Sequence, residues 1–295
     1  MQKKYPNDEV LRFLCIGNSH TIGATHLLFE VFKKHMPEQK IQIGNMYHSG
    51  CSVAQHLEYA AKNTLEYWYC KNVDGTWDIQ KVVPLVTPFE DQQWDVVMLH
   101  EMNGGAVLDE TYADNNIQKL MDYVTQQNKK QPVFFWNFAW ANPTCDELLP
   151  DTEFIAGWKH WYQLRSDLNY EKMAAQLIEK TQKYVASQYP WAGIAPTGTA
   201  LYYARNVLKQ PEPVLYKDYT HLTDFGRLMA SYVWFATLTG QTQIDEVKID
   251  KIPADLRDLP ENRDKDLEIT AQMKDVILKS VNYALQNPMT IPENQ

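Results

Sequence analysis

What the chain lacks narrows the field first. Its 295 residues hold only four cysteines, Cys15, Cys51, Cys70 and Cys145, none paired as CxxC, so no metal or redox site follows from them and all four read as structural. There is no lysine- or arginine-rich run, and a formal net charge of -9 argues against nucleic acid or an anionic membrane as the main partner. No apolar run approaches the length of a membrane span. The opening MQKKYPNDE lacks the apolar stretch of a signal peptide, which leaves two expectations: a cytoplasmic protein, or a periplasmic or secreted one whose signal was removed. No internal repeat or low-complexity tract is present, and nothing calls for a cofactor or a metal.

What is there is a globular composition, 44% hydrophobic and 12% aromatic, enough to bury a sizeable core. Apolar runs at 13–16, 40–47, 96–99, 132–138 and 191–196 read as buried strands, and helical periodicity fills 25–35, 53–65, 117–127, 170–188, 197–207 and 225–239 between them. That rhythm sets the class as α/β with a parallel sheet. Asp74-Gly75 between aromatic-rich runs marks a hairpin excursion over 66–82, and 144–169 is an aromatic insert containing Phe154, Trp158, Trp161 and Tyr162. The expected body spans 1–240. A charged, proline-containing surface connection begins at 241, and a last helix near 267–285 docks back, completing 241–295.

Polar residues gather where the strands end. Leu11 to Ala24, LRFLCIGNSHTIGA, is an apolar strand stopped by Gly17-Asn18-Ser19 before a helix. A serine on such a turn lies at the carboxyl edge of the sheet beside helix-start N–H groups, which makes Ser19 a candidate nucleophile; capping of the helix by Ser19 or Thr21 explains the same residues. Gly50 closes the second strand as an oxyanion donor or a turn glycine. His100, Glu101 and Asn103 follow the third strand and serve either a site or the loop itself. Asp218 and His221 fall on the loop before the last strong helix, where a carboxylate can orient an imidazole toward a nucleophile. Asn18, Glu101, Trp140 and Trp158 are the substrate-contact candidates, the aromatic faces suiting either sugar stacking or a satellite core.

Taken together, Ile16-Gly17-Asn18-Ser19, Ser49-Gly50-Cys51-Ser52, Trp94-Asp95, Pro196-Thr197-Gly198-Thr199-Ala200 and Asp218-x-x-His221-Leu222-Thr223 resemble the SGNH, or GDSL-like, hydrolase superfamily, and within it the DUF4886 group. The resemblance implies a three-layer α/β/α flavodoxin-like fold with a central parallel five-stranded sheet. It implies a serine esterase with no cofactor, acting on a small-molecule or glycan ester and removing a small acyl group, acetyl above others. Ser19 would be the nucleophile of a catalytic triad with His221 and Asp218. The oxyanion hole would be the backbone N–H groups of Ser19 and Gly50 plus a donor from Asn103 or His100. The third block departs from the usual Gly-x-Asn-Asp, reading His100-Glu101-Met102-Asn103. That departure keeps a second expectation open, a catalytically impaired SGNH-fold carbohydrate-binding protein. A lipase or lysophospholipase is weaker, since no long apolar lid segment is evident.

Overall fold

The computed structural model describes residues 10–143, 170–208, 215–218, 220–253 and 266–291. In chain order the elements are β1 (Val10–Gly17), α1 (Ser19–Thr25), α2 (Leu28–His35), β2 (Lys40–Tyr47), α3 (Val53–Lys62), β3 (Tyr67–Asn72) and β4 (Trp77–Val83). Next come α4 (Thr87–Asp91), β5 (Val96–His100), α5 (Asn116–Asn128), β6 (Val133–Asn137), α6 (Tyr170–Thr181), β7 (Gly193–Ala195) and α7 (Thr197–Tyr202). The chain closes with α8 (Asp224–Thr239), a two-residue ribbon β8 (Lys251–Ile252) and β9 (Leu267–Glu268), and α9 (Ala271–Gln286).

β1 is the strand the others flank. Leu14 and Ile16 enter one core, Phe13 and Cys15 the other, which is why the run shows no polar alternation. The sheet order is β4-β3-β2-β1-β5-β6-β7, with β2, β1, β5, β6 and β7 parallel and β3 and β4 antiparallel to their neighbours. The parallel five-stranded, flavodoxin-like sheet expected from the sequence is therefore corrected to a mixed seven-stranded sheet among the described residues. The hairpin makes the difference. Instead of standing away as an excursion, β3 pairs along the free edge of β2, with Met46 opposite Tyr69 and Asn45 opposite Cys70. This gives the β2 edge its hydrogen-bond partners and buries Tyr67 and Tyr69. β4 becomes the outer edge there, and its exposed Asp78, Gln80 and Lys81 oppose further strand addition.

Helices cover both faces of the sheet. On one face α8 packs against α1, α2, α7 and α9, and on the other α3 packs against α5. α8 is buried from Phe225 through Thr239, so its apolar character runs around the helix instead of along one stripe. The helix expected over 25–35 starts at Ser19 and is broken between α1 and α2 by His26 and Leu27. The segment after α8 is more than a surface connection. Ile244, Val247, Ile249 and Ile252 are buried, the Lys248 N–H donates to Tyr232 Oη at 2.8 Å, and the Ile244 N–H donates to Asn282 Oδ1 on α9 at 2.7 Å. The carboxyl ends of β1, β2, β5 and β6 lead into 18–19, 48–52, 101–103 and 138–142, and the candidate side chains collect at this edge.

Candidate active site

The turn after β1 is made by Asn18. Its backbone is extended and its Oδ1 accepts the His20 N–H at 3.1 Å, so Asn18 caps α1, while neither Ser19 nor Thr21 does. The Asn18 carbonyl accepts the Thr21 N–H at 3.0 Å and the Thr21 hydroxyl at 2.7 Å. A Cβ on Gly17 would run into the Thr21 side chain, so glycine is what lets strand and helix meet this closely. Ser19 is thereby the first residue of α1, half-buried, with its hydroxyl turned toward the loop before α8.

That loop is a tight hairpin. Tyr216 bridges to Leu222, and the Lys217 N–H donates to the His221 carbonyl at 3.0 Å. Asp218 Oδ1 accepts the Thr220 and His221 backbone N–H groups at 2.9 and 2.7 Å, and His221 Nδ1 lies 2.9 Å from Asp218 Oδ2. Burial pushes the Asp218 carboxyl up, but the hydrogen bonds from the His221 ring and the two backbone N–H groups outweigh it and hold the group below its usual range. A carboxylate only accepts, so His221 carries its proton on Nδ1 and offers the Nε2 lone pair to Ser19 Oγ, 2.9 Å away. Asp218, His221 and Ser19, 202 residues apart at the extremes of the last contact, form one hydrogen-bonded line.

Gly50 sits in the turn after β2 with φ of +63°, a conformation glycine adopts without strain. The Cys51 carbonyl accepts Asn18 Nδ2 at 3.1 Å, tying this turn to the one carrying Ser19. Among the described residues the backbone N–H groups of Ser19 and Gly50 donate to no acceptor, which leaves both available to an anionic oxygen. Glu101 is buried at the end of β5. It accepts the Val53 N–H at the start of α3 and its neighbour Met102 N–H, both at 2.9 Å, and burial pushes its carboxyl up to about 8 against those bonds.

Asn103 and His100, the third-block candidates, are both buried. Asn103 is 4% exposed, and its amide nitrogen is engaged by the Trp140 carbonyl at 3.3 Å, by Asn142 Oδ1 and by Thr220 Oγ1 at 3.2 Å. His100 is sealed beneath. Trp234 Nε1 can only donate, so Asn137 Oδ1 faces it at 3.0 Å and the Asn137 amide nitrogen faces His100 Nδ1 at 3.1 Å. His100 Nδ1 also lies 3.3 Å from the Asn137 carbonyl, Nε2 is buried without a partner in the described residues, and burial holds the ring down at about 4. The serine nucleophile and catalytic triad implied by the resemblance are corrected to what the contacts show, a hydrogen-bonded Ser19–His221–Asp218 line. Trp140 is buried as well: its ring lies 4.2 Å from that of His20 and its Nε1 donates to the Thr220 carbonyl at 2.9 Å. Trp158 and the rest of the aromatic insert lie outside the described residues. His20 and Thr220, absent from the sequence expectations, hydrogen-bond each other at 2.8 Å beside the line. No cluster of three metal-ligating side chains occurs among the described residues, and no described helix is long and apolar enough to cross a membrane.

The family model described as Domain of unknown function (DUF4886) matches residues 12–262. A crystal structure of a DUF4886 family protein from Bacteroides uniformis superposes with a TM-score of 0.73 at 22% identity, covering 96% of this chain and 98% of that one, and shares its fold. A gut microbial diltiazem-metabolizing enzyme matches with a TM-score of 0.48 at 14% identity, over 79% of this chain and 48% of that one. Axe2, an acetylxylan esterase from Geobacillus stearothermophilus, matches with a TM-score of 0.42 at 11% identity, over 77% of this chain and 94% of that one. No curated protein matches the sequence.

Proposed function

Because the chain belongs to the DUF4886 family and lines up Ser19, His221 and Asp218 at its sheet edge, we propose that it hydrolyses carboxylic esters of a small acyl group. The observation that carries this reading is the 2.9 Å contact from His221 Nε2 to Ser19 Oγ, with the other ring nitrogen held by a carboxylate. Ser19 Oγ attacks the ester carbonyl carbon as its proton passes to His221 Nε2. The Asp218 carboxylate stabilises the imidazolium so formed. The charge on the carbonyl oxygen is met by the N–H groups of Ser19 and Gly50. Collapse breaks the bond to the alcohol, which leaves with the proton from His221. Water, deprotonated by His221, then attacks the acyl–Ser19 carbonyl and releases the acid. Acetyl as the acyl group and a carbohydrate as the alcohol rest on the likeness of the sequence blocks to SGNH hydrolases.

A second reading has its own observation. Loss of one oxyanion donor typically costs about 10²–10³ in rate, and the Asn103 amide is engaged elsewhere. An SGNH-fold carbohydrate-binding protein with impaired catalysis accounts for that. The two are separated by hydrolysis of p-nitrophenyl acetate, butyrate and longer esters, with wild type and Ser19→Ala side by side. Turnover that falls with chain length and disappears in the variant supports the esterase. Glycan binding by titration with no turnover of any acyl ester supports the binder, and equal turnover in wild type and Ser19→Ala removes Ser19 from the chemistry.

A further inference from the structure

We infer that the third block braces the loop bearing Asp218 and His221, with Asn103 and Trp140 acting as positioning residues through Thr220. Thr220 stands between those two side chains in the loop and is 7% exposed, and each of its polar atoms has a partner. Its N–H donates to Asp218 Oδ1 at 2.9 Å, and its carbonyl accepts Trp140 Nε1–H at 2.9 Å. Its hydroxyl oxygen accepts from Asn103 Nδ2 at 3.2 Å and meets His20 Nε2 at 2.8 Å. The Asn103 amide nitrogen has only hydrogens to give, so the Thr220 hydroxyl oxygen accepts there and meets His20 Nε2 through its hydrogen or its second lone pair. The ring of His20 in turn lies 4.2 Å from that of Trp140. Asn103 ties the two grips together: the two hydrogens of its amide nitrogen are shared among Thr220 Oγ1, the Trp140 carbonyl and Asn142 Oδ1, so the residue that meets Thr220 from one side also meets the residue that grips it from the other.

The consequence is mechanical. His221 makes its contact with Ser19 from the residue after Thr220, so a shift of Thr220 moves imidazole and carboxylate together, and a misplacement of about 1 Å at a reacting group can cost around 10²-fold in rate. The departure of the third block from the SGNH pattern then has a positive meaning. Asn103 trades contact with the oxyanion for control of the histidine loop.

The activity arm of the test rests on the esterase reading; the spectroscopic arm does not. Thr220→Val keeps the shape of the side chain and removes both hydroxyl contacts, Thr220→Ser keeps them, and Asn103→Ala removes the grip from β5. The brace predicts that Thr220→Val and Asn103→Ala each lower kcat roughly tenfold or more with KM within about twofold, and that the double variant is no slower than the slower single one. Thr220→Ser stays within about threefold of wild type. Losses that multiply in the double variant, or a fall of about 10²–10³ in Asn103→Ala beside an unaffected Thr220→Val, would overturn the brace and make Asn103 an oxyanion donor. The second readout is the downfield proton resonance of His221 Nδ1–H on Asp218. It is expected to broaden or vanish in Thr220→Val and Asn103→Ala and to persist in Thr220→Ser. An unchanged resonance in both disruptive variants refutes the brace whatever the activity. The expected pattern in a protein that turns over no ester refutes only the esterase.

Discussion

The turn that presents Ser19 is fastened largely by its own neighbours, whereas the loop that presents His221 is fastened from three distant parts of the chain. Asn18 caps His20 and Thr21 binds back to Asn18, contacts two or three residues long, with longer ties to Cys51, to Asn45 and, from Gly17, to His48. Thr220 is gripped by Trp140, Asn103 and His20 across 80, 117 and 200 residues. The difference teaches that one half of the candidate site is set by local backbone geometry, and the other exists only once β1, β5 and β6 have assembled. The local half should yield to a single cap mutation without reference to the sheet. The remote half should answer to groups buried under it.

The largest effect on stability is expected on the local side. Asn18→Ala strips the partner from the His20 N–H and from the Cys51 carbonyl at one stroke, and should lower the unfolding free energy by about 2–4 kcal/mol in urea denaturation. A loss under about 0.5 kcal/mol would mean that the turn is held by something other than its cap.

A smaller, pH-dependent effect belongs to Glu101, which couples the end of β5 to the start of α3. Its carboxyl keeps its proton to about 8 in the folded protein against 4.5 ordinarily, so between those values the native state binds the extra proton and stability falls as pH rises. Buried His100 and His56, held down by burial at about 4 and about 3, work in the opposite sense, adding stability as pH climbs toward 6.5. The window from about pH 6.5 to 8 therefore isolates Glu101. Wild-type stability should drop by roughly 1–2 kcal/mol across it, and the slope should flatten in Glu101→Gln. Identical slopes in both proteins would place the proton elsewhere.

How much was legible follows the same divide. The apolar run ending in Gly17-Asn18-Ser19 announces a strand-to-helix turn because four adjacent residues suffice to make one, and Asp218-x-x-His221 is near enough in sequence for its hydrogen bond to be foreseen. The identity of the cap was not foreseen, since Asn18, Ser19 and Thr21 are all capping residue types and only backbone geometry chooses among them. The Asp74-Gly75 hairpin was legible as a hairpin. Its place on β2 was not, because pairing depends on an open edge created by a strand some 30 residues earlier in the chain. Thr220 and His20 gave no sequence signal: a threonine before a histidine and a histidine after a serine acquire meaning only through partners far along the chain. Ile244, Val247, Ile249 and Ile252 were hidden by the charged residues between them.

The most direct test of the central claim asks whether Ser19 is activated, without needing its natural ester. The protein is treated with a fluorophosphonate, which bonds phosphorus to an activated serine oxygen and releases fluoride, and the adduct is located by peptide mass spectrometry. The account predicts one adduct per chain, on Ser19, formed by wild type and lost in His221→Ala. Failure of wild type to label at Ser19, or labelling that persists undiminished in His221→Ala, would contradict it.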